Sequence, residues 1–140
     1  MDDLKARILN ILRHLQLSSL ATITGDGKPW VRYVMAVADD DLVVRCATFV
    51  NARKVAQIQD NPEVHLTCGV TDPTVMKPYL QIQATAEFTT DEAERNAFWN
   101  DSLQGIFAGP DDPNYGILVM KAYRIEHCTP GDLQPEVWER

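Results

Sequence analysis

No stretch of this 140-residue chain approaches the roughly 18 consecutive apolar residues of a membrane span, so the sequence gives no expectation of membrane insertion. Positive charge is scarce as well. Thirteen Lys and Arg against 20 Asp and Glu leave a net charge of −7, which disfavours broad nucleic-acid binding, because phosphate backbones are held by pooled cationic charge. The three cysteines, Cys46, Cys68 and Cys128, are odd in number and lack a Cys-x-x-Cys pair. That pattern argues against a disulfide framework and a zinc ribbon and for buried, reduced thiols. His65 and Cys68 fall in a strand-like segment, where residues three apart point to opposite faces, so no metal site is expected there.

The usual parts of a protein-based catalyst are missing too. Only Ser18, Ser19 and Ser102 supply serine hydroxyls, none in a nucleophile-elbow context, and His14, His65 and His127 lie in three separate elements. These histidines are expected to be structural or superficial. The clustered acids Asp39–Asp41 and Asp111–Asp112 sit in turns, where solvation and turn chemistry account for them. No Gly-x-Gly-x-x-Gly or Walker loop is present. Catalytic residues are therefore left unassigned. The amino terminus mixes Asp2, Asp3, Lys5 and Arg7 with Ile and Leu, unlike a signal peptide, and a cytoplasmic location is the default expectation.

What is present is a chain of 45% apolar residues, enough for one domain over residues 1–140 with a sizeable core. Residues 2–15 place Leu4, Ile8, Leu9, Ile11, Leu12 and Leu15 at helical spacing. Strands are expected at 18–24 and 30–38, joined by the Gly25-Asp26-Gly27 turn, then at 42–47 and 63–69. Residues 79–88 alternate clearly, with Leu80, Ile82, Ala84, Ala86 and Phe88 on one face. Thr89-x-x-Glu92 resembles a capping box opening a helix to about residue 100, with Ala93, Ala97 and Phe98 inward. Residues 101–114 read as a loop, 116–127 as one or two strands, and the tail ends on Val137-Trp138. Six or so strands joined mostly by hairpins predict a mainly β, antiparallel barrel with short α-helices.

The most informative stretch is Asn51-Ala52-Arg53-Lys54. Asn51 suits an N-cap, Val55 and Ile58 give the helix an apolar stripe, and Asn61-Pro62 stops it. Cations in a first turn oppose the helix dipole and call for a counter-charge. The free amides of the same turn already form an anion site that Arg53 and Lys54 could complete as a phosphate cradle. A chain with such a cradle and no nucleophile suits chemistry borrowed from a phosphorylated cofactor.

The run Arg32-Tyr33-Val34-Met35-Ala36-Val37, then Ala47-Thr48, Asn51-Ala52-Arg53-Lys54 and Asn61-Pro62-Glu63-Val64, resembles the FMN-binding split-barrel family typified by pyridoxamine 5′-phosphate oxidase. Gly109 to Tyr115 and Trp138 look most like its general stress protein branch. The resemblance implies a six-stranded antiparallel split β-barrel with FMN as cofactor. It implies Arg32, Arg53 and Lys54 as phosphate ligands, with Tyr33, Val34, Met35, Ala47 and Thr48 around the ring and ribityl chain. It also implies a homodimer with FMN at the subunit interface. The true oxidases end the first flavin strand with a lysine where this chain has Val37, and their carboxy-terminal Arg-x-His segment is missing; their early glutamine in the strand at 79–88 is matched by Tyr79, with Gln81 two residues on. These departures point away from a true pyridoxamine 5′-phosphate oxidase. The expected function is flavin-dependent redox chemistry on a small molecule; the alternatives are a non-enzymatic flavin-binding or stress-response protein, or a haem- or deazaflavin-binding relative. Arg45 is left outside the site as an arginine paired to a nearby acid, and Trp99 is read as core.

Overall fold

Alternation at period two decides which face of each strand is buried. In the computed structural model, which describes residues 3–140, it closes the chain into a barrel. The elements are α1 (Asp3–Leu12), β1 (Gln16–Ile23), β2 (Pro29–Ala38), β3 (Val43–Phe49), α2 (Arg53–Asp60), β4 (Glu63–Cys68), β5 (Tyr79–Thr89), α3 (Glu92–Phe98), a 3-10 turn (Asp101–Leu103), β6 (Tyr115–Cys128) and β7 (Glu136–Glu139). Asp2, which the sequence places in the first turn of the opening helix, lies outside the described residues.

Six strands run in the order β3-β2-β1-β4-β5-β6, and β6 pairs back onto β3 through Tyr115–Lys121 to close the antiparallel barrel. The segment expected as one or two strands is the single 14-residue β6. It carries β5 on one edge, and on the other β3 followed by β7, a strand that the tail adds beyond the sequence reading. Inside the barrel, Leu20, Leu66, Leu80, Ile82, Met120 and Ile125 form the centre of the core, and α1 adds Ile8, Leu9 and Leu12. Each such side chain contributes about 1.5–3 kcal/mol on burial. Gly116 leaves room for the Phe88 ring, since a Cβ there would lie 2.4 Å from the ring edge.

The barrel is split at one place. β2 pairs with β1 from Pro29 to Ala36, but with β3 only at Ala36–Ala38. Residues 29–35 therefore turn an unpaired backbone edge toward β3, and the two strands fork apart. A second apolar cluster lies outside the barrel beside this fork: Phe98, Leu103, Phe107, Tyr115 and Ile117, with Leu15, Val37, Ala47, Trp99 and Val119 against it. The ring of Phe107 packs between those of Phe49 and Tyr115, with centroids 4.7 and 4.9 Å away. The segment expected as a loop at 101–114 thus supplies core, because Leu103 and Phe107 need an apolar surface and β3 and β6 present one.

Several local expectations are corrected. The N-cap of α2 is Ala52, with no side-chain cap, and Asn51 sits one residue earlier in the turn. The N-cap of α3 is Asp91, whose carboxylate accepts from the Glu94 amide at 3.2 Å, while Thr89 Oγ1 accepts from the Asp91 amide. Shifting the start of α3 leaves Ala93 and Ala97 exposed and only Phe98 buried. Cys46 and Cys68 are buried, and burial pushes their thiols up to about 12 and about 11, so both are unreactive. Cys128 differs in being only partly buried. His14 is exposed, His65 is half-buried on the face opposite Cys68, and His127 is buried. No helix among the described residues is long and apolar enough to cross a membrane.

Candidate functional site

The fork between β2 and β3 is a cleft of about 260 Å³. Tyr33, Val34 and Met35 line it from β2, Ala47 and Thr48 from β3, and Lys54 from α2. Six residues separated by as many as 21 positions thus meet in one place, because β2 and β3 diverge there and α2 starts immediately above. The alternation of β2 sends Val34 inward and leaves Tyr33 73% exposed, so the cleft meets the strand at its edge as well as its outer face. Thr48 is buried at the end of β3, next to the turn that leads into α2.

Arg32 and Arg53 do not line the cleft but stand beside Lys54. The Arg32 guanidinium faces the barrel interior, where Nη1 donates to Thr22 Oγ1 (2.7 Å) and Nη2 to Gln57 Oε1 (2.9 Å). Thr22 in turn donates to the same Gln57 oxygen at 2.5 Å. Arg53 is exposed and lies over the Trp30 ring, 5.7 Å from its centroid, a geometry in which the ring face attracts the cation. Burial lowers the pKa of Arg32, and the neighbouring Arg53 charge lowers it further. Lys54 is likewise held below its ordinary value by burial, with Cys46 opposing the shift and Arg32 adding to it.

None of these three cations has a carboxylate within ion-pair distance among the described residues, whereas Arg7, Arg13, Arg45, Arg124 and Arg140 all do. Other cations unpaired among the described residues, such as Lys28 and Lys121, stand apart, whereas Arg32, Arg53 and Lys54 gather at one place. The first amides of a helix also have no intrahelical acceptor, so α2 directs partial positive charge to the same spot. The combination suits a multiply charged anion such as a phosphate monoester. The unpaired β2 edge suits a flat polar ring, offering backbone N–H and C=O groups that need partners.

Arg45 is paired as expected: it donates to Asp39 at 2.8 Å and to both Glu94 oxygens at 3.1 Å, tying β3 to α3. Trp99 packs edge-on to Tyr115 at 5.5 Å within the outer cluster. Tyr79 and Gln81 do not reach the cleft. Tyr79 shares a separate outer-face cavity with Tyr33, Thr67 and Met76, and Gln81 accepts a hydrogen bond from the Cys128 thiol. Sequence reasoning missed the far wall, made of Leu15, Phe98, Ser102, Leu103, Ile106 and Phe107. The signal for it was Leu103, Ile106 and Phe107 recurring in a segment otherwise rich in Gly, Pro and Asp.

A family model described as pyridoxamine 5′-phosphate oxidase matches residues 4–129. Over 133 residues the chain is 30% identical to General stress protein 26 of Bacillus subtilis (strain 168), covering 95% of this chain and 94% of that protein. Its fold is similar to the crystal structure of General Stress Protein 26 from Bacillus anthracis str. Sterne, with a TM-score of 0.86, 27% identity, and coverage of 99% of this chain and 100% of that one. A pyridoxamine 5′-phosphate oxidase-related, FMN binding protein from Nostoc punctiforme PCC 73102 shares the fold at a TM-score of 0.69 and 16% identity, covering 96% of this chain and 87% of that one. With the match spanning residues 4–129 and so all six strands of the barrel, the chain belongs to the pyridoxamine 5′-phosphate oxidase family and carries its split-barrel fold.

Proposed function

We propose that the fork binds FMN and that the protein is a flavin-dependent oxidoreductase acting on a small molecule other than pyridoxamine 5′-phosphate. The observation that carries this reading is the trio Arg32, Arg53 and Lys54, gathered without counter-ions at the start of α2. In this reading the three hold the phosphate, while Tyr33, Val34, Met35, Ala47 and Thr48 hold the ring and ribityl chain along the open strand edge. Bound there, the flavin supplies the electron transfer, and the chain orients it and limits the access of water. Val37 packs into the outer cluster where the oxidases carry a lysine, so the cationic partner for a pyridoxamine phosphate is missing.

A cleft of about 260 Å³ is smaller than the roughly 300–1,000 Å³ typical of cofactor-sized sites. The outer face of the β1–β2 hairpin beside it exposes Leu17, Met35, Tyr33 and Val31, which register opposite one another or on alternate rungs. An apolar patch of that kind marks an interaction surface. We therefore assign the missing wall to a second copy of the chain, giving a homodimer with FMN at the interface. The buried thiols of Cys46 and Cys68 favour a reducing, cytoplasmic setting.

Similarity to General stress protein 26 favours a second reading, a flavin-binding stress-response protein without turnover. Four measurements test these readings. FMN is expected to bind much more tightly than riboflavin, and equal affinities would sink the phosphate cradle. The visible spectrum of freshly purified protein identifies flavin, deazaflavin or haem, and steady-state oxidation of NAD(P)H under air separates an oxidoreductase from a carrier. Saturable formation of pyridoxal 5′-phosphate would overturn the exclusion of the pyridoxamine substrate.

A further inference from the structure

Of the three cations at the fork, Arg32 is the one that the barrel itself holds in place. Two other half-buried arginines, Arg45 and Arg124, are neutralised by carboxylates, from Asp39 and Glu94 and from Glu126 respectively. Arg32 meets only neutral oxygens. Besides the Thr22 hydroxyl and the Gln57 amide oxygen, it donates through Nη1 to the main-chain carbonyls of Trp30 at 3.1 Å and Leu20 at 3.3 Å. Leu20 stands directly across the β1–β2 ladder from Arg32, and Thr22 across from Trp30, so the register of this hairpin sets the acceptors. A guanidinium bonded to neutral oxygens keeps its whole charge for another anion.

The donors already used leave a particular pair of them free. A guanidinium carries five N–H groups in one plane. Thr22 and Gln57 take the end formed by Nη1 and Nη2, and the two carbonyls share the rest of Nη1. Nε–H and the second hydrogen of Nη2 have no acceptor among the described residues, and these two lie side by side along one edge, the fork that matches two oxygens of a phosphate. Gln57 follows Arg53 by four residues and Lys54 by three on α2, so it shares a helix face with both. One side chain therefore ties Arg32 to the helix that carries the other two cations. Thr22, itself fully buried, fixes that amide in turn, since its hydroxyl donates to Gln57 Oε1 at 2.5 Å. Because arginine can only donate, the oxygen end of the Gln57 amide must face it.

We propose that Gln57 and Thr22 are positioning residues of the phosphate site, holding the Arg32 guanidinium so that its free edge meets two phosphate oxygens and its charge stays uncancelled. The proposal rests on the reading that the fork binds FMN. It adds a requirement for an uncharged amide at position 57. A carboxylate of the same shape there holds Arg32 at least as firmly, but it cancels the charge that the phosphate needs and places a like charge beside it.

The test is fluorescence titration of the whole chain, stripped of flavin, with FMN and with riboflavin, alongside thermal unfolding, for Gln57→Glu, Gln57→Leu, Thr22→Val and Thr22→Ser. Gln57→Glu is expected to weaken FMN about 10-fold or more, to leave riboflavin unchanged and to keep or raise Tm. Gln57→Leu is expected to weaken FMN less than Gln57→Glu does and to lower Tm, because Thr22 and Arg32 lose an acceptor while the Arg32 charge survives. Thr22→Val is expected to weaken FMN about 3- to 10-fold, and Thr22→Ser to restore it. A purely structural tether predicts the opposite order at position 57, with Glu harmless and Leu damaging. FMN affinity unmoved by Gln57→Glu, riboflavin weakened as much as FMN, or Thr22→Ser no better than Thr22→Val would each overturn the proposal and leave the flavin reading standing. Equal affinity of the wild type for FMN and riboflavin would remove the phosphate site itself, and the proposal with it.

Discussion

Lys54 is half-buried at the start of a helix and beside another cation, two circumstances that disfavour its charge. Because its folded pKa is lowered, the protonated side chain costs stability below that pKa, and the cost is relieved as pH rises toward the unfolded value of about 10.4. A phosphate dianion beside it reverses the shift, so binding takes up a proton. FMN affinity should hold below the free-state pKa of Lys54 and fall as pH rises through it. It should also weaken below about pH 6, where a phosphate monoester loses its second charge. Fluorescence titration across pH would show both limbs, and Lys54→Ala should flatten the alkaline one. Charge-assisted hydrogen bonds contribute roughly 1.5–3 kcal/mol, so Lys54→Ala should weaken FMN about 10- to 100-fold, with exposed Arg53→Ala near the lower figure and riboflavin little changed in both. The adjacent cations at 53 and 54 were legible from sequence because they contradict the helix dipole. The tether of Arg32 to Thr22 and Gln57 was not, since it depends on α2 crossing back over β1.

Helix caps show the same division at the scale of an element. Thr89, Asp91, Glu92 and Glu94 offer overlapping cap patterns, and local sequence does not choose between them. Arg45 does, from β3: by engaging Glu94 it fixes the register in which Asp91 caps and Phe98 turns inward. Asp91→Ala should therefore destabilise by about 1 kcal/mol, lowering Tm by about 2–4 °C, and more than Glu92→Ala does. Thermal unfolding of the two variants checks this; the reverse order would restore the Thr89 box. Strands were legible wherever polar and apolar residues alternate, as in β5, whose buried face is Leu80, Ile82, Ala84 and Ala86. β7 was missed because its Glu136, Val137, Trp138 and Glu139 carry no such pattern, and it exists only because the long β6 leaves an edge free beyond β3.

For the molecule as a whole, the proposed placement of FMN between two chains would make assembly and cofactor binding one equilibrium. A ligand that touches two chains stabilises the dimer by its preference for that state. Sedimentation across a dilution series should show FMN shifting dilute protein toward dimer, and a monomer with undiminished FMN affinity at every concentration would rule out an interface site. The antiparallel barrel could be anticipated from hairpins and turn residues, but not the wall of the cleft, which is assembled from segments about 90 residues apart. Closure of the sheet has a kinetic side as well. β3 cannot find its last partner until residues 115–121 are available, and such non-local pairing is slow because the intervening chain must be ordered first. During synthesis, roughly the first hundred residues therefore leave the ribosome with β3 and β5 still lacking β6, two bare strand edges at once. The interval before β6 arrives is when this chain most depends on protection from its neighbours.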